Sequence, residues 1–269
     1  YHFVDWSDAS TQNPRTDTGV TANIAVTANF AIDTFTVAYA AGANGSITGE
    51  TAQVVNYGAD GSAVTAVPAL GYHFVDWSDA STQNPRTDLN VTANIAVTAN
   101  FAINTFTVGY TAGANGSITG TTPQTVNYGA DGSAVTAVPA LGYHFVDWSD
   151  ASTQNPRTDL NVTANIAVTA NFAIDTFTVG YTAGANGSIT GETSQVVNYG
   201  ADGSAVTAVP ALGYHFVDWS DASTQNPRTD TGVTANIAVT ANFAIDTFTV
   251  AYTAGANGSI TGETSQVVN

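Results

Sequence analysis

The sequence predicts an all-β protein, a tandem array of small 71-residue domains strung like beads on a rigid string, each built as a compact sandwich or barrel. Three observations carry that expectation. The phrase YHFVDWSDASTQNPRTD begins at Tyr1, Tyr72, Tyr143 and Tyr214, always 71 residues apart. Apolar residues alternate with period two in several segments, the mark of half-buried strands. Turn signals recur at about the 8–12-residue spacing of a small all-β domain. The period is too long for a solenoid unit of roughly 20–50 residues. It is long enough for a unit with its own core, since many domains of about 55–65 residues fold alone.

Within the unit 33–103 the elements read as follows. Phe35, Val37 and Tyr39 alternate with Thr34, Thr36 and Ala38 in a first strand. Gly42-Ala43-Asn44-Gly45 follows, and Asn-Gly between strands is a strong hairpin signal. A short strand around Ser46–Thr48 precedes another at Gln53–Tyr57, and Gly58-Ala59-Asp60-Gly61 forms the next turn. Strands at Ser62–Val67 and Tyr72–Trp77 are separated by Pro68-Ala69-Leu70-Gly71. A polar loop, Ser78–Asn90, leads into a last strand in which Ile95, Val97, Ala99, Phe101 and Ile103 share one side. No segment carries a helical i, i+3, i+4, i+7 apolar pattern.

The apolar phase slips by one between Ile103 and Phe106, so one strand cannot continue with the same face inward. The boundary is placed there and at the equivalent positions. This gives a partial repeat 1–32, repeats 33–103, 104–174 and 175–245, and a partial repeat 246–269. A two-residue connection without a Gly- or Pro-rich linker implies a stiff joint. The chain starts and stops in mid-repeat, as expected of a window cut from a longer array.

Repeats 33–103 and 104–174 differ at six positions. Gly19 and Gly232 stand where Asn90 and Asn161 stand elsewhere; Gly and Asn are the residues that most readily adopt positive φ, so a left-handed backbone is expected there.

Composition excludes several function classes. A formal charge of -17, with four Arg and no Lys, argues against nucleic-acid partners and anionic membrane surfaces. The absence of Cys removes disulfides and thiolate metal sites. No apolar run approaches the roughly 18 residues of a membrane span.

Candidate chemistry is sparse. His73, Asp76, Ser78 and Asp79 have the residue types of a hydrolase, but they cluster on one strand and its loop instead of converging from distant parts of a fold. The expectation is therefore no catalytic residues and no cofactor. Asn44-Gly45-Ser46 and Asn90-Val91-Thr92 match the glycosylation triplet, and the first reads better as a turn. Tyr72, Phe74 and Trp77 suit either a carbohydrate platform or core packing, the latter because a unit this small needs large side chains to fill it. Core positions are expected at Val37, Tyr39, Val64, Phe74, Trp77, Ile95, Val97 and Phe101. In the loop, Asp76, Asp79 and Asp88 are candidate Ca²⁺ ligands, with Ser78, Thr82, Gln83 and Asn84 as further oxygens. The spacing matches no recognised calcium loop, and Arg86 would repel the ion. An Arg86–carboxylate pair that pins the loop, preferably through Asp76 or Asp79, is the favoured reading.

The run from Gly58 to Ser78, GADGSAVTAVPALGYHFVDWS, with Asn84 to Asp88 (NPRTD) and Val91 to Phe101 (VTANIAVTANF), resembles bacterial internalin-B-type B-repeats of the divergent, Listeria–Bacteroides-like kind. The resemblance recurs through the whole chain. It implies a β-grasp-like fold, an extracellular or cell-surface location, stalk or adhesive service, and no catalytic residues.

Two function classes follow. One is a non-enzymatic rod, either a surface stalk or an extracellular filament, whose partners are neighbouring repeats or subunits. The other is a multivalent adhesive module that binds host or matrix glycans or proteins and gains avidity from repetition. A buried Trp77 favours the first and an exposed one the second.

Overall fold

The computed structural model describes residues 1–269, and every regular element in it is a strand. Contacts divide the chain into two compact units. One comprises Tyr1–Val108, Pro123–Ser133 and Thr158–Ile166; the other comprises Gly109–Thr122, Ala134–Arg157 and Ala167–Asn269. The first holds the whole repeat 33–103 and the second the whole repeat 175–245.

In the first unit, β1 (His2–Trp6) and β2 (Ala28–Ala31) pair antiparallel. The complete repeat then supplies β3 (Thr34–Ala41), β4 (Gly45–Thr48), β5 (Ala52–Asn56), β6 (Thr65–Pro68), β7 (Tyr72–Trp77) and β8 (Ile95–Ile103). Four of them form a mixed sheet in the order β5-β3-β8-β7, and β4 and β6 form a second, two-stranded sheet. The first and last strands of the repeat, β3 and β8, lie parallel at the centre of the larger sheet, with Val37 opposite Ile95 and Tyr39 opposite Val97. Only a crossover makes such a pair, and the segment from β4 to β7 with the polar loop after it provides that crossover.

The core lies between the two sheets. Val37, Tyr39, Val55, Val97, Ala99 and Trp77 from the larger sheet meet Ala66 of β6, together with Val64 and Val91 from the connections. Phe74, Ile95 and Phe101, expected in the interior, are half-buried and pack against this cluster. The turn at Asn44-Gly45 is not the hairpin expected, since it carries the chain from β3 in the larger sheet to β4 in the smaller one. The Phe101 ring lies against the Gly45 backbone there, so closely that a Cβ on Gly45 would sit 2.3 Å from the ring. A glycine is thus required after Asn44, which turns the chain at φ 69°.

A bulge in β7 sets the site. Phe74 faces Phe101, but the register shifts before Asp76, which faces Asn100. Strict alternation would send Trp77 outward with His73 and Val75. The extra residue reverses the phase, and Trp77 enters the core at 0% exposure. The strand expected at Ser62–Val67 is shorter. Its first part is held as a single bridge from Val64 to Arg86, with β6 starting at Thr65.

In the second unit, the strands Thr176–Ala183, Gly187–Thr190, Ser194–Asn198, Thr207–Pro210, Tyr214–Trp219 and Ile237–Ile245 reproduce the order, the parallel central pair and the bulge. The expected left-handed position is observed, with φ 64° at Gly19, 49° at Asn90 and Asn161, and 59° at Gly232.

Candidate functional site

Trp77 ends β7, and the loop after it folds back over the ring. The Trp77 amide donates to the Ser81 carbonyl at 2.8 Å, and the indole Nε1–H donates to the Gln83 carbonyl at 2.9 Å. Ala80 takes φ 66° to close this turn. Asn84 then fastens the loop to the smaller sheet. Its amide group donates to the Ala66 carbonyl at 2.8 Å, and its carbonyl accepts from the Ala66 amide at 2.9 Å. Arg86 exchanges both backbone hydrogen bonds with Val64.

These bonds place the Arg86 guanidinium 5.5 Å from the centre of the Trp77 ring, within cation–π range. Arg86 is 5% exposed. Its Nε and Nη2 donate to the two oxygens of Asp88 at 2.9 and 2.7 Å, and Nη1 donates to Asp79 at 2.9 Å. The Tyr39 hydroxyl reaches across from β3 and donates to Asp88 at 2.7 Å. The Tyr39 ring stacks edge-on to Trp77 at 5.7 Å, as does Phe74 at 5.8 Å. A buried cation is therefore neutralised by two carboxylates.

The electrostatics follow from this packing. Burial alone would raise the Asp88 carboxyl, but the hydrogen bonds from Arg86 and Tyr39 overcome it and hold the group below its ordinary value. Asp79 shows the same balance, lowered by Arg86 and by the Ser81 amide against its own burial. Burial, followed by the neighbouring Asp88 carboxylate, pushes the Tyr39 hydroxyl well above its usual range. The cluster recurs in the second unit, where Arg228 binds Asp221 and Asp230 at 2.8 and 2.6 Å and Tyr181 donates to Asp230 at 2.7 Å. Arg15 binds Asp8 and Asp17 in the same pattern.

The sequence candidates sort accordingly. Asp79 and Asp88 are both engaged by Arg86, whereas Asp76 faces the opposite side of the sheet and accepts from the Asn100 amide at 2.8 Å. The three carboxylates do not come together, and no group of three metal-ligating side chains forms anywhere in the chain. The Ca²⁺ reading is corrected on this ground. The guanidinium occupies the space between Asp79 and Asp88, and the bulge carries Asp76 away. The ion-pair reading holds for Asp79 but not for Asp76. His73 bonds Asn104 at 2.8 Å, so His73, Asp76 and Asp79 each face a different partner. Tyr72 is half-buried opposite Ile103.

Sequence reasoning missed Gln53. It sits at an inward position of β5, 5% exposed, donating to the carbonyls of Glu50 and Ser62 and accepting from the Ser62 amide. Its parity with Val55 was the available signal, because a polar residue in an inward phase must find internal partners.

The successive repeats meet at a small joint. In the first unit the Asn104 amide donates to the Gly71 carbonyl at 2.8 Å, His73 bonds the Asn104 side chain, and the Tyr128 ring covers Gly71. In the second unit Asp175, Gly142, His144 and Tyr199 repeat the arrangement. Gly71 and Gly142 hold φ of 81° and 78°, and a Cβ on either would lie 2.3 Å from the tyrosine ring.

The profile of the divergent InlB B-repeat domain matches residues 1–34, 35–105, 106–176 and 177–247. No curated protein matches the chain. Among solved structures the chain is similar to the Bacillus anthracis TIE protein, with a TM-score of 0.37 and 9% identity, over 80% of this chain and 52% of that one. The chain thus spans about half the length of that protein. No helix of the chain is long and apolar enough to cross a membrane.

Proposed function

This chain belongs to the divergent InlB B-repeat domain family, and we propose that it is a non-enzymatic structural region of a long bacterial extracellular protein, forming a stiff stalk or filament. The observation that carries this reading is the joint. Each pair of complete repeats is connected through one residue and fixed by a backbone hydrogen bond, a histidine contact and a tyrosine ring over a glycine. Such a connection has few soft torsions, so a chain of repeats resists bending where a Gly/Ser linker would not. Each 71-residue repeat then acts as one bead, with the buried Arg86–Trp77 cluster ordering its longest loop.

The burial of Trp77 supports a structural role for the aromatic set over a sugar-stacking one. Surface adhesion by repetition of weak sites remains the second reading, favoured by the near-identical faces that an array presents. Immunogold labelling of intact cells with an antibody raised against the repeat tests the proposal. Label on thin projections outside the envelope is expected. Label confined to the cytoplasm would overturn it.

A further inference from the structure

Three of the six differences between repeats 33–103 and 104–174 fall within five residues. Glu50, Ala52 and Val54 become Thr121, Pro123 and Thr125, while the third repeat carries Glu192, Ser194 and Val196. These positions share one structural feature, the free edge of the four-stranded sheet. β5 is an outer strand, and Val54 and Val196 are 73% and 72% exposed. The Tyr39 amide donates to the Thr51 carbonyl and the Tyr57 amide to the Asp33 carbonyl. Alternation of an antiparallel ladder then turns the N–H and C=O groups of Gln53 and Val55 toward β3 and those of Ala52 and Val54 outward, while the Asn56 carbonyl accepts the Ala59 amide at 2.9 Å.

Proline at position 123 thus deletes an outward donor at no loss to the ladder, the usual way to blunt an edge. It also alters the strand end. The middle strand begins at Gln124, and the Tyr110 amide donates to the Thr122 hydroxyl at 2.8 Å instead of to a backbone carbonyl. The opposite edge, β7, is blunted in every repeat by its bulge and by Asp76. Among the four-stranded sheets of the complete repeats, only the edges at Ala52–Asn56 and Ser194–Asn198 keep outward donors, an exposed valine and no proline.

Beside each of these edges runs an open groove. In the first repeat Val54, Asn56, Ala59 and Ser62 line it together with the carboxylates of Glu50 and Asp60. In the third repeat the same groove carries Glu192 and Asp202. The geometry points to a strand-acceptor site here, one that takes an extended peptide bearing basic side chains from another protein. The main chain of the peptide pairs with the outward groups of Ala52 and Val54, and its cations meet Glu50 and Asp60. A second copy of the chain is a poor occupant, because its four arginines are each held by aspartates and it would bring only further carboxylates. The middle repeat loses the acid, the valine and the donor together, as expected of a site switched off as a unit.

The test is residue-resolved amide hydrogen exchange on the full chain with a short capped peptide of alternating valine and lysine. Exchange at Val54 and Val196 should slow several-fold, with Thr125 unchanged. The variant Ala52→Pro/Ser194→Pro, which copies a residue the middle repeat already tolerates, should abolish the protection. Thr121→Glu/Pro123→Ala/Thr125→Val should create it at residue 125. Equal protection at Thr125 in the unaltered chain, no protection at any edge, or equal protection by a valine–glutamate peptide would each overturn the proposal. Protection of Val54 and Val196 that rises with protein concentration in the absence of peptide would assign the edge to a second copy and overturn the choice of partner.

Discussion

Trp77→Ala is expected to unfold its repeat under conditions that leave the others folded. The ring is 0% exposed and touches Tyr39, Phe74 and the Arg86 guanidinium. Truncating a buried tryptophan costs about 3–5 kcal/mol. A unit of this size has roughly 4–10 kcal/mol in total at about 0.05–0.15 kcal/mol per residue, so the loss approaches all of it. Removing the ring also strips one face from a buried cation and leaves the Gln83 carbonyl without its donor. A urea melt followed by circular dichroism should split, with a minority of the amplitude moving to a midpoint lower by about 2–5 M for a slope of roughly 1–1.5 kcal/mol/M. A single transition at the original midpoint would show that the ring does not organise the core.

The second large effect is expected from Asp88→Asn. Arg86 keeps Asp79 but loses a two-point partner, and hydrogen bonds to charged groups are worth about 1.5–3 kcal/mol. The same cluster fixes the pH dependence. Asp79 and Asp88 have folded-state values below their ordinary ones, so they bind protons less readily folded than unfolded. Their contribution is complete above the unfolded value of about 3.9 and is lost as pH falls through the lower folded values. Stability should hold nearly level from neutral pH to about 5 and decline below about 4. Making the Asn change at 88, 159 and 230 together should lower stability at neutral pH and flatten the acid decline. An unchanged acid profile in that triple variant would remove the cluster from the account.

Much of the fold was legible because the relevant signals are local. Period-two alternation located β3 and β8, and the Gly19/Asn90 exchange exposed a left-handed residue without any structure. The parallel pairing of β3 with β8 was not legible, because it joins residues 58 apart and no local pattern names a strand's neighbour. Trp77 was placed in the core for its size, but the bulge that turns it inward leaves no trace in the alternation of HFVDW. The ion pair was legible as a type of contact and not in its partners. Asp88 lies two residues beyond Arg86 in an extended segment, so both side chains share a side, and Tyr39 completes the cluster from 49 residues away. Gln53 was overlooked because its partners are backbone groups, which no composition reveals.

The stiffness of the joints is the central claim, and small-angle X-ray scattering of Gly71→Ala/Gly142→Ala tests it. The added methyl groups would collide with Tyr128 and Tyr199. Gly213→Ala provides the control, since Gly213 has the same left-handed backbone at φ 79° but no atom within 4 Å of the new Cβ. The unaltered chain and the control should scatter as an extended, stiff particle, and the double variant should show a shorter maximum dimension and the profile of a flexible chain. A compact, freely jointed profile for the unaltered chain, or a double variant indistinguishable from the control, would contradict the account.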